Sequence, residues 1–320
     1  MSNDGAHEGA AAETAELDDG YGQLLVDCWR AGPRPHTHLQ VIERDDGFVS
    51  VEDAYRYFTP PGEWIEPERR AVELAHGRVL DVGCGAGRHA TVMAQRGCEV
   101  VGIDPSPGAV KVATERGVDA RLGTIMDPGD DVGVFDTIVL LGGNLGLLGS
   151  QRQATVALYR LATVAREGAQ LLGIGRNPYA TGDPFHLAYH AANEWRGLQP
   201  GQVRMRLRYK NTASEWFDRL LLSPEQLPDL LKPTPWGLDQ VSGNGWEGFY
   251  LAEMTLTQTV RVLDHACGPI CLPVNEYAPW MGCQALAAEI AQRTALTKEH
   301  VRRGEVSSDA SADGEMPWPH

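Results

Sequence analysis

The chain has 320 residues, a net charge of −15 and a hydrophobic fraction of 42%. This length can form a full core, and no run approaches the ~18 apolar residues of a membrane span, so we expect a soluble, cytoplasmic protein. Much of the negative charge lies near the ends, where residues 1–20 carry six acids and residues 304–320 carry four, with no Lys or Arg in either. The rest is only mildly acidic, which disfavours nucleic acid as a partner.

The composition also predicts how the chain is divided. Residues 1–20 and 304–320 are rich in Gly, Ala, Ser and acids, which is typical of disordered tails. Residues 21–70 form an N-terminal cap in which aromatic residues, including Tyr57, cluster around a Pro-Pro-Gly break. These aromatic residues either cover a bound ligand or simply pack the cap against the remaining chain.

An apolar strand at Arg78 to Val82 then runs into a glycine-rich turn that opens a helix. Asp81 ends the apolar run, and glycines follow at Gly83, Gly85 and Gly87. Glycine permits positive φ and close approach of the backbone to a ligand, and the helix start presents free N–H groups. The stretch therefore predicts a site for a nucleoside-like ligand.

Strands and helices alternate after this turn. The next predicted strand, 98–104, ends in the acid Asp104, and helix starts are marked by Ser106-Pro107 and by Ser150 with Gln153. Such alternation predicts a parallel sheet with helices on both faces and a ligand at the carboxyl ends of the strands. The predicted elements are a helix over 86–96, strand 98–104, helix 107–116, strands 120–122 and 135–141, a helix from residue 150, and strand 170–174.

Residues 177–222 interrupt this alternation as an insertion after the predicted strand 170–174. Residues 203–210 alternate apolar and basic residues and predict a β-hairpin with residues 215–222. The basic face is either a solvated face that protects an edge strand or a docking surface for an anionic partner. Residues 236–241 and 249–257 predict a closing antiparallel hairpin, which ends a main domain over 71–257.

The extension 258–303 contains three of the six cysteines. We expect all cysteines to be reduced, since two of them lie in the predicted core of a cytosolic protein. A zinc site would need a second ligand pair beside Cys267 and Cys271, and no such pair is marked, so no metal is predicted. The six positions are Cys28, Cys84, Cys98, Cys267, Cys271 and Cys283.

The aspartate, the alternating glycines and the second aspartate resemble the class I S-adenosylmethionine-dependent methyltransferases. The resemblance covers residues 55–257 and implies a doubly wound, mostly parallel seven-stranded sheet. It also implies S-adenosylmethionine as cofactor and S-adenosylhomocysteine as product. An NAD site is disfavoured because the third glycine comes one residue too early for the G-x-G-x-x-G pattern.

The resemblance assigns roles by position. The turn holds the methionine part of the cofactor, Asp104 accepts the ribose hydroxyls, and Asp127 meets the adenine amine. Asn144 follows the predicted strand 135–141 and faces cofactor and acceptor. The implied cofactor-binding residues are Asp81, Gly83, Cys84, Gly85, Gly87, Asp104, Met126, Asp127 and Asn144.

On the acceptor side, the resemblance places the pocket of small-molecule enzymes in the insertion and the cap. His186 or His190 is the predicted general base, and Tyr57, Tyr189 and Trp195 are the predicted acceptor contacts. Two alternatives stay open: a peptide, protein or RNA acceptor docked on the basic hairpin, or a nucleoside-binding protein that transfers no methyl group. The sequence does not define the oligomeric state.

Overall fold

The computed structural model describes residues 19–129, 132–243, 248–258, 260–265 and 268–273. The helices are α1 (Gly20–Arg30), α2 (Glu66–Leu74), α3 (Arg88–Gln95), α4 (Pro107–Glu115), α5 (Gln151–Thr163), α6 (Pro184–Trp195) and α7 (Leu227–Leu231). The strands are β1 (Leu39–Arg44), β2 (Val49–Asp53), β3 (Arg78–Val82), β4 (Glu99–Asp104), β5 (Asp119–Leu122), β6 (Phe135–Leu140), β7 (Ala165–Arg176), β8 (Gln202–Tyr209), β9 (Thr212–Ala213), β10 (Phe217–Leu220), β11 (Trp236–Ser242), β12 (Phe249–Leu256), β13 (Val260–His265) and β14 (Gly268–Pro273).

The main sheet has seven strands in the order β11-β12-β7-β6-β3-β4-β5. Strands β3 to β7 are parallel, whereas β12 runs antiparallel to both β7 and β11. The predicted seven-stranded, mostly parallel sheet and its closing hairpin are therefore confirmed. The chain order reverses direction between β3 and β6, and such a switch point is where open α/β sheets bind ligands.

The core lies on both faces of this sheet, as expected for parallel strands covered by helices. One face packs Leu80, Ile138 and Leu171, all fully buried, against the apolar side of α5. The other face packs Val79 and Val139 against residues of α2 and α3. The continuous apolar runs in β3 and β6 supply both faces, so these central strands hold the carboxyl edge in place.

A second sheet joins two distant segments of the chain. Its order is β10-β8-β1-β2, with β9 paired to β8, and all of its pairings are antiparallel. Strand β8 pairs with β10 inside the inserted segment and also with β1 of the N-terminal segment. The basic strand is therefore interior, and the interpretation of its charges as edge protection is wrong.

The described residues after β12 form a two-stranded antiparallel pair, β13 and β14. Within the described residues no cluster of three or more His, Cys, Asp or Glu side chains could hold a metal ion. The predicted tails, as well as Cys267 and Cys283, lie outside the described residues except for the last two positions of the N-terminal tail. Cys28, Cys84 and Cys98, which lie among the described residues, are free thiols. Among the described residues, no helix has both the length and the apolar character needed to cross a membrane.

Candidate active site

The glycine turn between β3 and α3 has the conformation that the sequence predicts. Gly83, Gly85 and Gly87 have φ values of 72°, 54° and 72°, in the left-handed region that favours glycine. The backbone N–H groups of Gly83 and Cys84 both donate to the carbonyl of Ile103, at 2.8 and 3.1 Å. The turn is therefore held against the end of β4.

Two buried carboxylates lie at the carboxyl ends of the neighbouring strands β3 and β4, Asp81 one residue before the end of β3 and Asp104 at the end of β4. Asp104 accepts hydrogen bonds from the backbone N–H groups of Gly85 (2.9 Å) and Ser106 (3.0 Å). The Oδ2 atom of Asp81 is buried and has no hydrogen-bond partner among the described residues. An unpartnered buried carboxylate oxygen is costly, so this edge of the sheet is suited to a ligand that brings N–H or O–H donors.

Burial also changes the acidity of both groups. It raises the pKa of Asp81 to about 7, and the nearby Asp104 charge adds to this effect. Burial raises the pKa of Asp104 to about 6, although its two backbone N–H donors oppose the rise. Carboxylates with strongly shifted pKa values beside the switch point of a sheet are typical of a functional site.

Cys84 and Asn144 support the turn in different ways. The Cys84 side chain is buried among Ala90, Ala113 and Val118, so only its backbone can face a ligand. The Asn144 amide donates to the carbonyl of Val82 at 3.1 Å and to that of Gly83 at 2.9 Å. Asn144 therefore ties the glycine turn to the segment that follows β6.

Met126 and Asp127 lie in the turn after β5. This turn is joined to β4 because the Gly123 N–H donates to the Asp104 carbonyl at 3.2 Å. Met126 is 39% exposed, and the Asp127 carboxylate accepts a hydrogen bond from the Gly129 N–H at 3.3 Å. An exposed apolar side chain beside an acidic group at this edge suits a flat polar ring.

Helix α1 covers the glycine turn. The Asp19 carboxylate accepts hydrogen bonds from Gly22 N–H (2.8 Å), Ser106 Oγ (2.7 Å) and Gly108 N–H (3.0 Å), so it caps α1 and binds the start of α4. Tyr21 then lies above the turn, where a Cβ atom at Gly85 would be 2.8 Å from its hydroxyl oxygen.

The second sheet continues this cover through Tyr57. The rings of Tyr21 and Tyr57 meet edge to face with centroids 5.3 Å apart. The Tyr57 hydroxyl accepts a hydrogen bond at 2.7 Å from Gln40, a β1 residue that is 1% exposed. Tyr57, a predicted acceptor contact, is therefore placed beside the glycine turn, and Tyr21 is a neighbour that the sequence analysis missed.

Three arginines also converge here and were missed. Arg88 pairs with Glu68 and donates to Thr59 Oγ1 at 2.9 Å, and Arg56 pairs with Glu52. Arg219, on β10, donates to the carbonyl of Gly143.

Arg88 directly follows the glycine motif and could have been found from the sequence. Arg56 and Arg219 come together only because the second sheet folds over the first.

The other predicted acceptor residues lie on α6, which packs against the turn of the β1–β2 hairpin. The His186 Nδ1 atom is 3.0 Å from an Arg44 nitrogen, and the Tyr189 hydroxyl donates to Asp45 at 2.7 Å. Trp195 is 89% exposed at the end of the helix. Arg44 and Gln40 are four residues apart on β1, so these contacts lie roughly 13 Å along the strand from the Gln40 side chain.

His190 differs from His186 in its surroundings. Its Nδ1 atom is buried without a hydrogen-bond partner in the described part of the chain, and its ring lies 6.3 Å from that of Tyr179. Burial lowers the pKa of His190, with the charges of His186 and Arg44 acting in the same direction. His190 is therefore a neutral imidazole with a free ring nitrogen.

The basic face of β8 is neutralised by acids. Arg206 pairs with Glu43 at 2.9 Å and Arg208 reaches the same carboxylate at 3.2 Å, while Arg204 lies 3.7 Å from Asp218. Exposed ion pairs of this kind contribute little to stability. This arrangement offers less free positive charge to an anionic partner than the sequence pattern suggests.

Comparison with known proteins agrees with this geometry. Residues 79–168 match the family model described as "Methyltransferase domain". The ubiquinone biosynthesis O-methyltransferase of Xanthomonas euvesicatoria pv. vesicatoria is 31% identical over 208 residues, which cover 62% of this chain and 79% of that protein. The 2-heptyl-1-hydroxyquinolin-4(1H)-one methyltransferase of Mycobacteroides abscessus is 33% identical over 93 residues, which cover 21% of this chain and 41% of that protein.

A solved structure shares the fold. It is that of a SAM-dependent methyltransferase from Bacteroides fragilis in complex with S-adenosyl-L-homocysteine, with a TM-score of 0.64 and 24% identity. The match covers 75% of this chain and 96% of that one. The seven-stranded sheet, the glycine turn and the paired acids define a Rossmann-like methyltransferase. The chain belongs to the class I S-adenosylmethionine-dependent methyltransferases, and it is an enzyme that uses S-adenosylmethionine as its methyl donor.

Proposed function

We propose that this enzyme methylates a hydroxyl oxygen of a small molecule held between the glycine turn and the second sheet. The observation that carries the proposal is the pair of buried acids at the ends of β3 and β4, of which Asp81 keeps an unpartnered oxygen. The residues that would hold the cofactor are Asp81, Gly83, Cys84, Gly85, Gly87, Asp104, Met126, Asp127 and Asn144.

The residues present fit this cofactor. Two backbone N–H groups hold the Asp104 carboxylate in place, and its remaining lone pairs suit vicinal hydroxyls through charge-assisted hydrogen bonds. The free oxygen of Asp81 suits an ammonium donor, while Met126 and Asp127 suit the face and the amine of an adenine. When bound, S-adenosylmethionine supplies a methyl group activated by its sulfonium sulfur.

The chain contributes mainly placement. Tyr21 and Tyr57 lie above the glycine turn, where they would shield a bound acceptor from water. Holding two reactants in a near-attack arrangement contributes ~7–11 kcal/mol. A positioned general base contributes ~10²–10⁴-fold, or roughly 3–5 kcal/mol. Proximity is therefore the larger effect, and a base acts in addition to it.

A hydroxyl acceptor is supported by the names of the relatives. The Xanthomonas protein is named an O-methyltransferase, and the substrate in the name of the Mycobacteroides protein is a hydroxyquinolinone. Oxygen methylation releases a proton, so a neutral base near the acceptor helps. His190 suits this role better than His186, whose Nδ1 atom already contacts Arg44. The Nδ1 atom of His190 is unpartnered, and its ring lies 6.3 Å from that of Tyr179, which follows the carboxyl end of β7.

Calorimetry with S-adenosylhomocysteine tests the cofactor site. We expect Asp104→Asn to weaken binding at least tenfold, because the ribose would lose a charge-assisted partner. Asp119→Asn is the matched control, since Asp119 is the first residue of β5, at the amino edge of the sheet, and pairs with Arg121. Equal affinities for native protein and Asp104→Asn would contradict the proposal.

Transfer is then followed with cofactor labelled in the methyl group. We expect label in small hydroxylated compounds of a cell extract and none in its proteins or RNA. Labelled protein or RNA, abolished by reversing the charges of Arg204, Arg206 and Arg208, would instead support docking of a large acceptor on β8.

A further inference from the structure

Arg219 is the member of the arginine cluster that lacks an acidic partner. Arg56 pairs with Glu52 and Arg88 pairs with Glu68, whereas in the described part of the chain Arg219 donates only to the backbone carbonyl of Gly143. Its Nε atom is buried and has no hydrogen-bond partner there. A guanidinium group has five N–H donors, so most of its bonding capacity is unused.

The position of Arg219 places it on the acceptor side of the site. Gly143 directly precedes Asn144, whose amide bonds to the carbonyl of Gly83 in the glycine turn. The acids proposed to hold the cofactor end β3 and β4, whereas Arg219 lies against the segment that follows β6, on the other side of β3. The segment that Arg219 contacts follows β6, and Asp104 ends β4. These two strands are two strand spacings apart, each of about 4.8 Å.

The surroundings of Arg219 call for an anion. Its charged and titratable neighbours are Arg56, Glu52, Tyr57 and Tyr21. Glu52 is already bonded to Arg56, and burial raises the pKa of both tyrosines, so they remain neutral. Arg56 adds a second positive charge. Burial lowers the pKa of Arg219, but an arginine stays protonated at neutral pH. A partly buried charge without a bonded counter-ion is costly.

We propose that Arg219 binds a carboxylate group of the acceptor, so that the substrates are small hydroxylated carboxylic acids. This inference rests on the proposed methylation of a hydroxyl group. A planar guanidinium matches a carboxylate in a two-bonded arrangement, which fixes orientation as well as charge. Arg219 is then a specificity residue that holds the acceptor while its hydroxyl group is methylated.

The test is calorimetry on the full chain saturated with S-adenosylhomocysteine. The probes are acetate and benzoate, each compared with its neutral amide, acetamide or benzamide. We expect at least one carboxylate to bind ten or more times tighter than its amide. Arg219→Gln should remove this preference, and Arg219→Lys should restore part of it. Arg166→Gln is the control and should not change it, because Arg166 is half exposed and pairs with Asp136 at the amino edge of the sheet.

S-Adenosylhomocysteine also carries a carboxylate, and a separate measurement distinguishes this source. We expect Arg219→Gln to bind S-adenosylhomocysteine within threefold of the native protein. If its affinity falls tenfold while that for 5′-methylthioadenosine, which lacks the amino acid group, does not change, Arg219 binds the cofactor and the inference is wrong. It is also wrong if native protein binds S-adenosylhomocysteine but shows no preference for carboxylates. Native protein that does not bind S-adenosylhomocysteine would contradict the proposed cofactor site itself.

Discussion

The backbones of Gly22 in α1 and Gly108 in α4 lie in direct contact. A Cβ atom at Gly108 would be 2.5 Å from the Gly22 Cα atom, closer than real structures allow. The same two helices share the Asp19 carboxylate, which bonds to the N–H groups of both glycines. This contact sets the height of α1 above the glycine turn and therefore the position of Tyr21.

Gly108→Ala tests that relationship. The added methyl group should push α1 away from α4. We expect this to lower the free energy of unfolding by ~1–3 kcal/mol and to weaken the binding of S-adenosylhomocysteine at least fivefold. Gly182→Ala is the control, since a Cβ atom there meets nothing within 4 Å. Denaturant unfolding and calorimetry measure the two effects. Unchanged cofactor affinity in Gly108→Ala would show that α1 does not shape the site.

The buried acids predict a pH dependence of stability. The folded pKa of Asp81 is about 7, well above its ordinary value of 3.8, so its favourable contribution is complete below pH 4 and is lost as the pH rises through 7. Asp81→Asn removes this loss. We expect the free energy of unfolding of the variant to exceed that of the native protein by on the order of a few kcal/mol at pH 8 and by much less at pH 4. Urea unfolding without ligand at both pH values measures this, and an equal difference at both would contradict the assigned pKa.

Cys84 and Gly85 separate backbone from side-chain roles in the turn. Cys84→Ala should cost about 1 kcal/mol of stability through lost packing and leave the S-adenosylhomocysteine affinity within twofold, because the thiol lies in the core. Gly85→Ala should abolish binding, since its φ of 54° disfavours a side chain and the methyl group would meet the Tyr21 hydroxyl. Calorimetry on the two variants checks both expectations, and comparable losses in both would overturn them.

The two histidines of α6 are distinguished by kinetics. We expect His190→Gln to lower kcat for a hydroxyl acceptor by ~10²–10⁴-fold, and His186→Gln by less than threefold, because the Nδ1 atom of His186 is engaged by Arg44. The pH profile of kcat for native enzyme should lose activity only at acid pH, below the ordinary histidine pKa of 6.5, since burial lowers the pKa of His190. Equal, small effects in both variants would remove histidine as the base.

The parts of the fold that the sequence predicts are those with local signals. Strand β4 ends at Asp104 as expected, and Ser106 caps α4 through a 3.0 Å bond to the Ala109 N–H. The glycines of the turn all have the predicted positive φ. These features depend on residues within a few positions of one another, and short-range propensity decides them.

The pairing of β1 with β8 in the second sheet escaped prediction because it is non-local. Val41 of β1 pairs with Arg208 of β8, far along the chain, and the sequence of neither strand indicates which strand it pairs with. The proposed acceptor side of the site depends on that pairing. Arg219 could be read from the sequence only as one charge in a hairpin, whereas its place beside Gly143 follows from how the two sheets meet.

The shared sheet also has a consequence for engineering. Since β1 and β2 precede β3 in the chain and β8 and β10 belong to the later insertion, neither segment forms the second sheet alone. In a chimera that takes only the insertion from another methyltransferase, β1 would have to pair with a β8 strand whose sequence is not matched to it. Exchanging substrate preference between relatives therefore requires transplanting both segments together.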